Sequence, residues 1–417
     1  MIEMAKNLLQ FDKKAENGGW RPFQSRPGAD VKRTASARGQ LTLEGAGNRH
    51  GVGGWIRTLR VKPGRHYRVR VKARVEGADD PLYHVWVRVC WGGFGDVSRQ
   101  GPDSIPGEVR GGNVTFEGVV GAPEWAQTAD VLLMLRWAPK AKVKFSEAVF
   151  ETVRAPKPRP VTLAAVYWRP AEASTVENNV ANFLSMIDRA AKADRKPDVI
   201  VLPESLTAVG VHAENRDELC HKEGGPVFEK FTAAAKRCKV NLAFSLYEKS
   251  GRGRYVGAWL VDRRGKVAGR YRKTHCPVGE DTAGFMPGDS LPVFDADFGR
   301  VAFQICMETG FPEMTRAYVL DGAEVILMPS WNAEVIDVRA RARENGVYCV
   351  VSGFDVASMV VGRDGEVIAS RWKDQGAGVA AATVDLSARL CGPWVGNYPE
   401  YMHRMRRGDL YGRLCRR

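Results

Sequence analysis

The spacing of apolar residues changes character partway along the chain. Through residue 152 the apolar positions come in short alternating runs: Gln40–Leu43, Gly54–Val61, His66–Val75, His84–Cys90, Asn113–Val120, Asp130–Trp137 and Lys142–Thr152. Alternation of this kind gives a strand one dry and one wet face, and the pairs Pro63-Gly64 and Gly92-Gly93 supply turns between runs. Seven or eight short strands with no helical period predict an antiparallel β-sandwich. Residues 153–160, VRAPKPRP, are Pro-rich and basic and read as a linker. The expected domains are therefore 1–152, an all-β sandwich, and 161–417.

From Val161 the pattern mixes two periods. VTLAAVYW and DVIVLPES are buried strands, and Ser174–Ala193 places Val176, Val180, Phe183, Leu184, Ile187 and Ala190 on one helical face. Pro226–Lys239 predicts a helix, followed by the strands NLAFSLYEK, YVGAWLVDRRG and KVAGRYRKTH. Val301–Ile305 predicts a buried strand that delivers Cys306 to a sharp turn. A helix over Pro312–Leu320, a strand over Glu324–Met328 and a helix over Ile336–Asn345 come next. VYCVVSGF, ASMVVGRDG and GVAAATVDL close the pattern as strands, and the segment after Leu386 reads as irregular and basic. Strands alternating with helices imply an α/β domain with covered sheets.

Charge changes this picture little. The net charge is +14, and residues 1–150 carry 24 Lys and Arg against 15 Asp and Glu, so most of the excess lies there. In RHYRVRVKARV the basic residues alternate with apolar ones, which is the wet face of a strand rather than a nucleic-acid surface with interleaved aromatics. No stretch is long and apolar enough to span a membrane. The N-terminal MIEMAKNLLQFDKK lacks an apolar run with a cleavage site, so no secretory signal is expected. Eight cysteines are scattered without a CxxC pair, which predicts free thiols, a reducing cytoplasmic setting and no zinc site.

Three strand ends carry residues suited to acyl chemistry: Glu204 after DVIVLP, Lys273 after GRYR, and Cys306 after FQI. Singly, each has a plain explanation as a surface cap, a solvated charge or a small buried hydrophobe. Together they form a set with a purpose. A thiol is mostly protonated at neutral pH; a carboxylate can take its proton and an ammonium can stabilise the thiolate.

The order of these residues and their surroundings resembles the nitrilase, or carbon–nitrogen hydrolase, superfamily. The resemblance runs from about Val161 to Leu414. It is carried by VIVLPES, GRYRKTHCPVGE, FMPGD at 285–289, ICMETGFPEMTR, GAEVILMPSW, RARARENGVYCVVSG, MVVGRDGEVIAS and a closing RRGDLY. It implies an α-β-β-α sandwich, with Glu204 as general base, Cys306 as nucleophile, and Lys273 with the backbone N–H of Met307 holding the oxyanion. Glu280 matches the family's second glutamate, and Trp331 and Asn332 fall on the pocket wall. The substrate implied is a small-molecule amide, with nitriles and ureido compounds as alternatives, and no metal or organic cofactor is needed. Most amidase-branch members have aspartate where this chain has Glu308. Thr309 and Gly310 replace the arginines that hold a carboxylate in members cleaving N-carbamoyl amino acids. An inactive binding or scaffold protein is the reading from another class.

The first 152 residues resemble, in pattern alone, galactose-binding-like jelly rolls that bind carbohydrate. NLLQFD with Gly19-Trp20, VKPGRHYRVRVKARV and VLLMLRWAPKAKVKFSEAVF carry that likeness. It implies carbohydrate as a possible partner, with Trp20, Trp55, Trp86, Trp91, Trp125 and Trp137 as candidate stacking residues. The superfamily resemblance also implies a homo-oligomer.

Overall fold

The computed structural model describes residues 19–36, 40–93, 99–355 and 357–415. NLLQFD lies outside them. The chain forms two compact units, Met1–Lys157 with Arg389–Arg417, and Pro158–Ala388.

In the first unit two antiparallel sheets share one hydrophobic cluster. One runs in the order Arg21–Gln24, Val52–Arg60, Thr128–Arg136, Val85–Trp91, Asp103–Ser104. The other runs Lys32–Ala35, Leu41–Glu44, Lys142–Val153, His66–Glu76, Asn113–Gly121, Gly107–Arg110. Strand His66–Glu76 shows how alternation builds the unit. Tyr67, Val69, Val71, Ala73 and Val75 are buried in the shared cluster. The intervening basic residues point outward, where Arg68 meets Glu151 at 3.1 Å and Arg70 meets Glu147 at 2.7 Å on the neighbouring strand. The predicted strands all form, within two residues at either end. Arg21–Gln24, Lys32–Ala35, Asp103–Ser104 and Gly107–Arg110 were not anticipated, because each holds at most one large apolar side chain, whereas the equally short Leu41–Glu44 holds two alternating leucines. Trp20, Trp55, Trp86 and Trp91 are core residues and have no free ring face; Trp137 is the exposed one, at 41 %.

The segment after Leu386 corrects the expected domain limit of 161–417. Residues 389–417 belong to the first unit, and they are not wholly irregular: Cys391–Gly392 pairs with Gly396–Asn397, and Tyr398–Arg404 is helical. Arg389 pairs with the buried Asp103. Tyr401 and Met405 pack on a second apolar cluster formed by Phe23, Ile56, Trp86, Cys90, Leu132 and Met134. Arg404 lies 4.0 Å over the Trp86 ring and donates to the carbonyls of Ile105, Leu82 and Val85 at 2.9, 2.9 and 3.0 Å. A short amphipathic helix cannot hold itself together in water, so this buried guanidinium and the apolar contacts fix it.

The second unit has four layers. One six-stranded sheet runs Val267–Arg272, Gly253–Val261, Asn241–Ser250, Val199–Val201, Pro160–Tyr167, Gly378–Asp385. The other runs Phe294–Ala296, Gly299–Phe303, Val325–Pro329, Tyr348–Ser352, Ala357–Val361, Val367–Trp372. The central strands of each are parallel, and parallel strands covered on both faces read as continuous apolar runs. Successive residues take opposite sides: Leu163 and Ala165 join the cluster between the sheets, while Ala164 and Val166 meet the helices Val176–Ala191 and Pro226–Cys238. Val180, Phe183, Ile187 and Ala190 form the buried stripe of the first helix, whose N-terminus is capped by Thr175 accepting from Asn178 N at 3.1 Å. Helices Pro312–Leu320 and Val335–Asn345 cover the other sheet with Met314, Tyr318, Val338 and Ala342. This is the α-β-β-α sandwich.

Arg404→Ala should strip three buried carbonyls of their donor and remove the stack on Trp86. Each unsatisfied buried acceptor costs about 1–3 kcal/mol, softened by the desolvation that the cation no longer suffers. Urea unfolding followed by tryptophan fluorescence should show a stability loss of about 2 kcal/mol or more; an unchanged midpoint would show that the helix is not held this way.

Candidate active site

The strand leading to the nucleophile ends earlier than expected. It spans Gly299–Phe303, and Cys306 begins a five-residue 3₁₀ helix, Cys306–Gly310, instead of sitting at the strand tip. Gln304 still donates its backbone N–H to Leu327 O at 3.1 Å, and its buried side chain ties the following turn, Nε2 donating to Glu308 O and Oε1 accepting from Thr315 at 2.7 Å. Cys306 adopts φ +50°, a left-handed conformation that costs a side-chain-bearing residue about 1–2 kcal/mol. Ser205, next to Glu204, is also left-handed at φ +45°. Strain of this kind persists only where surrounding contacts impose it, and active sites are where it clusters.

The three expected residues converge. Lys273 follows the strand Val267–Arg272 and is 1 % exposed. Its backbone N–H donates to Val256 O at 2.9 Å, and its carbonyl accepts from Gly288 N at 2.8 Å. Gly288, in the FMPGD turn, must be glycine: a Cβ there would stand 2.3 Å from Arg272 O. The ammonium donates to Glu204 Oε1 at 2.7 Å and to Glu280 Oε1 at 2.6 Å. Glu204 is itself buried, and its other oxygen accepts from Trp331 N at 3.1 Å. The Cys306 thiol donates to Asn332 O at 3.3 Å. Lys273 thus bridges Glu204 and Glu280, while Glu204 and Cys306, 102 positions apart in the chain (204 to 306), bond to the adjacent residues Trp331 and Asn332.

Electrostatics separate their roles. Burial alone would lower the Lys273 pKa, but Glu204 and Glu280 more than reverse that, so the ammonium stays charged throughout the physiological range. Burial pushes the Cys306 thiol up to about 12, and the Glu204 carboxylate adds to the rise; Lys273 and the backbone of Asn332 and Trp331 oppose it. A resting thiolate is therefore scarce, and the proton must leave as the bond to substrate forms. Glu280 is raised to about 7, first by burial and then by Glu204, against the pull of Lys273. Its Oε2 is buried without a hydrogen-bond partner.

The remaining expected residues divide. Met307 is 38 % exposed in the first turn of the 3₁₀ helix, where an N–H has no acceptor within the helix. Trp331 donates its backbone N–H to Glu204, and its partly buried side chain packs against the cluster beside the helices, its ring 5.6 Å from that of Phe354. Asn332 contributes its carbonyl. His275 stacks on Phe311 at 4.1 Å, a packing role. Sequence reasoning missed Tyr247, whose ring lies 4.5 Å from that of Phe285 and whose hydroxyl is raised to about 12, first by burial and next by Glu204. It sits on a strand, and nothing in its spacing distinguishes it from core. The seven described cysteines are free thiols, and among the described residues no cluster of three or more His, Cys, Asp or Glu could hold a metal.

Comparison with known proteins bears on the family and the fold. Residues 162–389 match the family model described as carbon-nitrogen hydrolase. A Schizosaccharomyces pombe protein named "Probable nitrilase C965.09" is 26 % identical over 258 residues, covering 57 % of this chain and 93 % of that protein. N-carbamoylputrescine amidase from Solanum tuberosum is 30 % identical over 184 residues, 42 % of this chain and 60 % of that enzyme. Among solved structures, a carbon-nitrogen hydrolase from Helicobacter pylori G27 superposes with a TM-score of 0.52 at 22 % identity, covering 62 % of this chain and 99 % of that one. An amidase from Nesterenkonia sp. gives 0.51 at 21 %, covering 61 % and 96 %. The two structures establish the likeness of fold.

Because the folded state binds the Glu280 proton more tightly than an unfolded chain does (about 7 against 4.5), Glu280 contributes most to stability below pH 4.5, and that contribution fades as pH rises through about 7. Urea unfolding between pH 5 and pH 8 should therefore show a loss of stability in this window, smaller in Glu280→Gln. Equal pH dependence in the two proteins would show that Glu280 does not titrate there.

Proposed function

The chain belongs to the carbon–nitrogen hydrolase family, and from that premise we propose that it is a cysteine-dependent amidohydrolase working through a thioester. The observation that carries this reading is the buried Lys273 ammonium, bonded at once to Glu204 and Glu280 beside the Cys306 thiol. Keeping so costly a buried charge cluster has a purpose in catalysis and little in folding.

The steps follow from the groups present. Glu204 takes the thiol proton as Cys306 Sγ bonds to the amide carbonyl carbon. The resulting oxyanion is met by Lys273 and the Met307 N–H, an arrangement worth several kcal/mol of barrier. Glu204 returns the proton to the nitrogen as the C–N bond breaks, releasing ammonia or an amine. Water then gives its proton to Glu204 and attacks the thioester; the C–S bond breaks, Glu204 passes that proton to Sγ, and the carboxylic acid departs. Glu280 helps to position Lys273, whose ammonium it binds at 2.6 Å, and the substrate.

A ureido substrate is the second reading, supported by the 30 % identity to N-carbamoylputrescine amidase; a nitrile is the third. For the first unit, we read the two facing sheets as the jelly-roll module expected from its pattern, with carbohydrate as its ligand. A cavity of about 460 Å³ beside Tyr83 and the exposed Trp137 supports that reading. A homo-oligomer remains part of the proposal.

Wild-type protein incubated with a panel of amides, ureido acids and nitriles should release ammonia or amine from at least one class. Cys306→Ala and Glu204→Gln should lower that rate by about 10³-fold or more. Equal background rates in wild type and Cys306→Ala on every substrate would replace the enzyme with a scaffold. Hydroxamate formed on adding hydroxylamine would report the thioester directly.

A further inference from the structure

Glu308 is wholly buried, two residues after the nucleophile, and lies outside the chemical steps above. Its carboxylate accepts five hydrogen bonds. Oε2 takes Ile305 N at 2.8 Å. Oε1 takes Thr274 N at 2.8 Å, Thr274 Oγ1 at 2.9 Å, the Tyr271 hydroxyl at 2.7 Å and His275 N at 3.2 Å. The two oxygens therefore hold two different segments. Ile305 immediately precedes Cys306, and Thr274 immediately follows Lys273.

We propose that Glu308 is a positioning residue that staples the nucleophile's turn to the lysine's loop, setting where the Cys306 sulfur stands relative to the Lys273 ammonium. Two features of the site make such a staple necessary. Cys306 is in a left-handed conformation that its own backbone does not favour, so an outside restraint must keep it there. Lys273 is already committed to two carboxylates and cannot follow a nucleophile that drifts. The side-chain length matters as well. A carboxylate at the end of two methylenes reaches both segments, and both of its oxygens are pure acceptors facing N–H and O–H donors. Glutamine in its place must turn an NH₂ group towards one set of donors or the other, whichever way its amide is flipped.

The inference rests on the amidohydrolase reading for its kinetic readout, and it has a second readout that does not. Alkylation of Cys306 by iodoacetamide, followed at that peptide by mass spectrometry across a pH series, reports thiolate formation without any substrate. In Glu308→Gln it should slow about ten- to hundredfold, as expected for a reacting group displaced by about 1 Å. Its pH profile should move to higher pH, because the sulfur has lost the ammonium's field. Alkylation of Cys238, at the end of the helix Pro226–Cys238 and bonded to Asp188, should not change. Glu308→Asp, which keeps two acceptor oxygens on a shorter reach, should fall between wild type and Glu308→Gln, and it serves alone if the glutamine variant does not fold. On whichever amide the wild type cleaves, kcat should fall with KM little altered. Cys306 profiles that superimpose on wild type in the folded variants would overturn the proposal, even if thermal stability were lowered, since a merely structural role moves only the latter. If wild type cleaves no amide, the amidohydrolase reading fails, and the alkylation profiles still decide the role of Glu308.

Discussion

One ammonium organises the active site. Lys273 is buried almost completely, and a charge in that position survives only if opposite charges come with it. Glu204 and Glu280 supply them at 2.7 and 2.6 Å. Two carboxylates on one cation leave the cluster with an excess of negative charge in a dry setting, and the molecule relieves this by raising Glu280 to about 7 while Lys273 keeps its proton. The arrangement is costly at rest. In the mechanism proposed above it becomes favourable when negative charge moves from Glu204 to the sulfur and then to a substrate oxygen, which is the sense in which a site is built for a transition state rather than for its resting state.

The four-layer fold exists around this cluster in a literal way. Glu204 comes from one sheet and Cys306 from the other, and Lys273 leaves the edge strand of the first. Only a rigid packing of two sheets on a shared core could keep three such groups within reach of one another. The backbone takes part too. Trp331 N and Asn332 O, just after the strand Val325–Pro329, hold the acid and the thiol.

Much of this was legible in the residues. Apolar periods located the helices Val176–Ala191, Pro226–Cys238 and Pro312–Leu320 to within two residues, because each buries one stripe against a sheet. Glu204, Lys273 and Cys306 were legible as a set, through motifs in a fixed order. What escaped was whatever depends on contacts between distant segments. The strand before Cys306 looked longer than it is, since Gln304 and Ile305 continue an apolar run although Gln304 bonds to Glu308 and Thr315. Glu308 was visible as an unusual neighbour of the nucleophile, but its five partners lie on segments that only folding brings near. Residues 389–417 read as a continuation of the second unit because of chain continuity and the likeness carried by RRGDLY; the contacts of Tyr401, Met405 and Arg404 place them with the first.

The measurement that bears most directly on the central claim is intact-protein mass spectrometry of wild type quenched in acid during turnover of an amide it cleaves. The account predicts a mass increase equal to the acyl group, located by peptide mapping on Cys306 and removed by hydroxylamine. An acyl group on another residue, or turnover with no adduct under conditions where the second step is slowed, would contradict it.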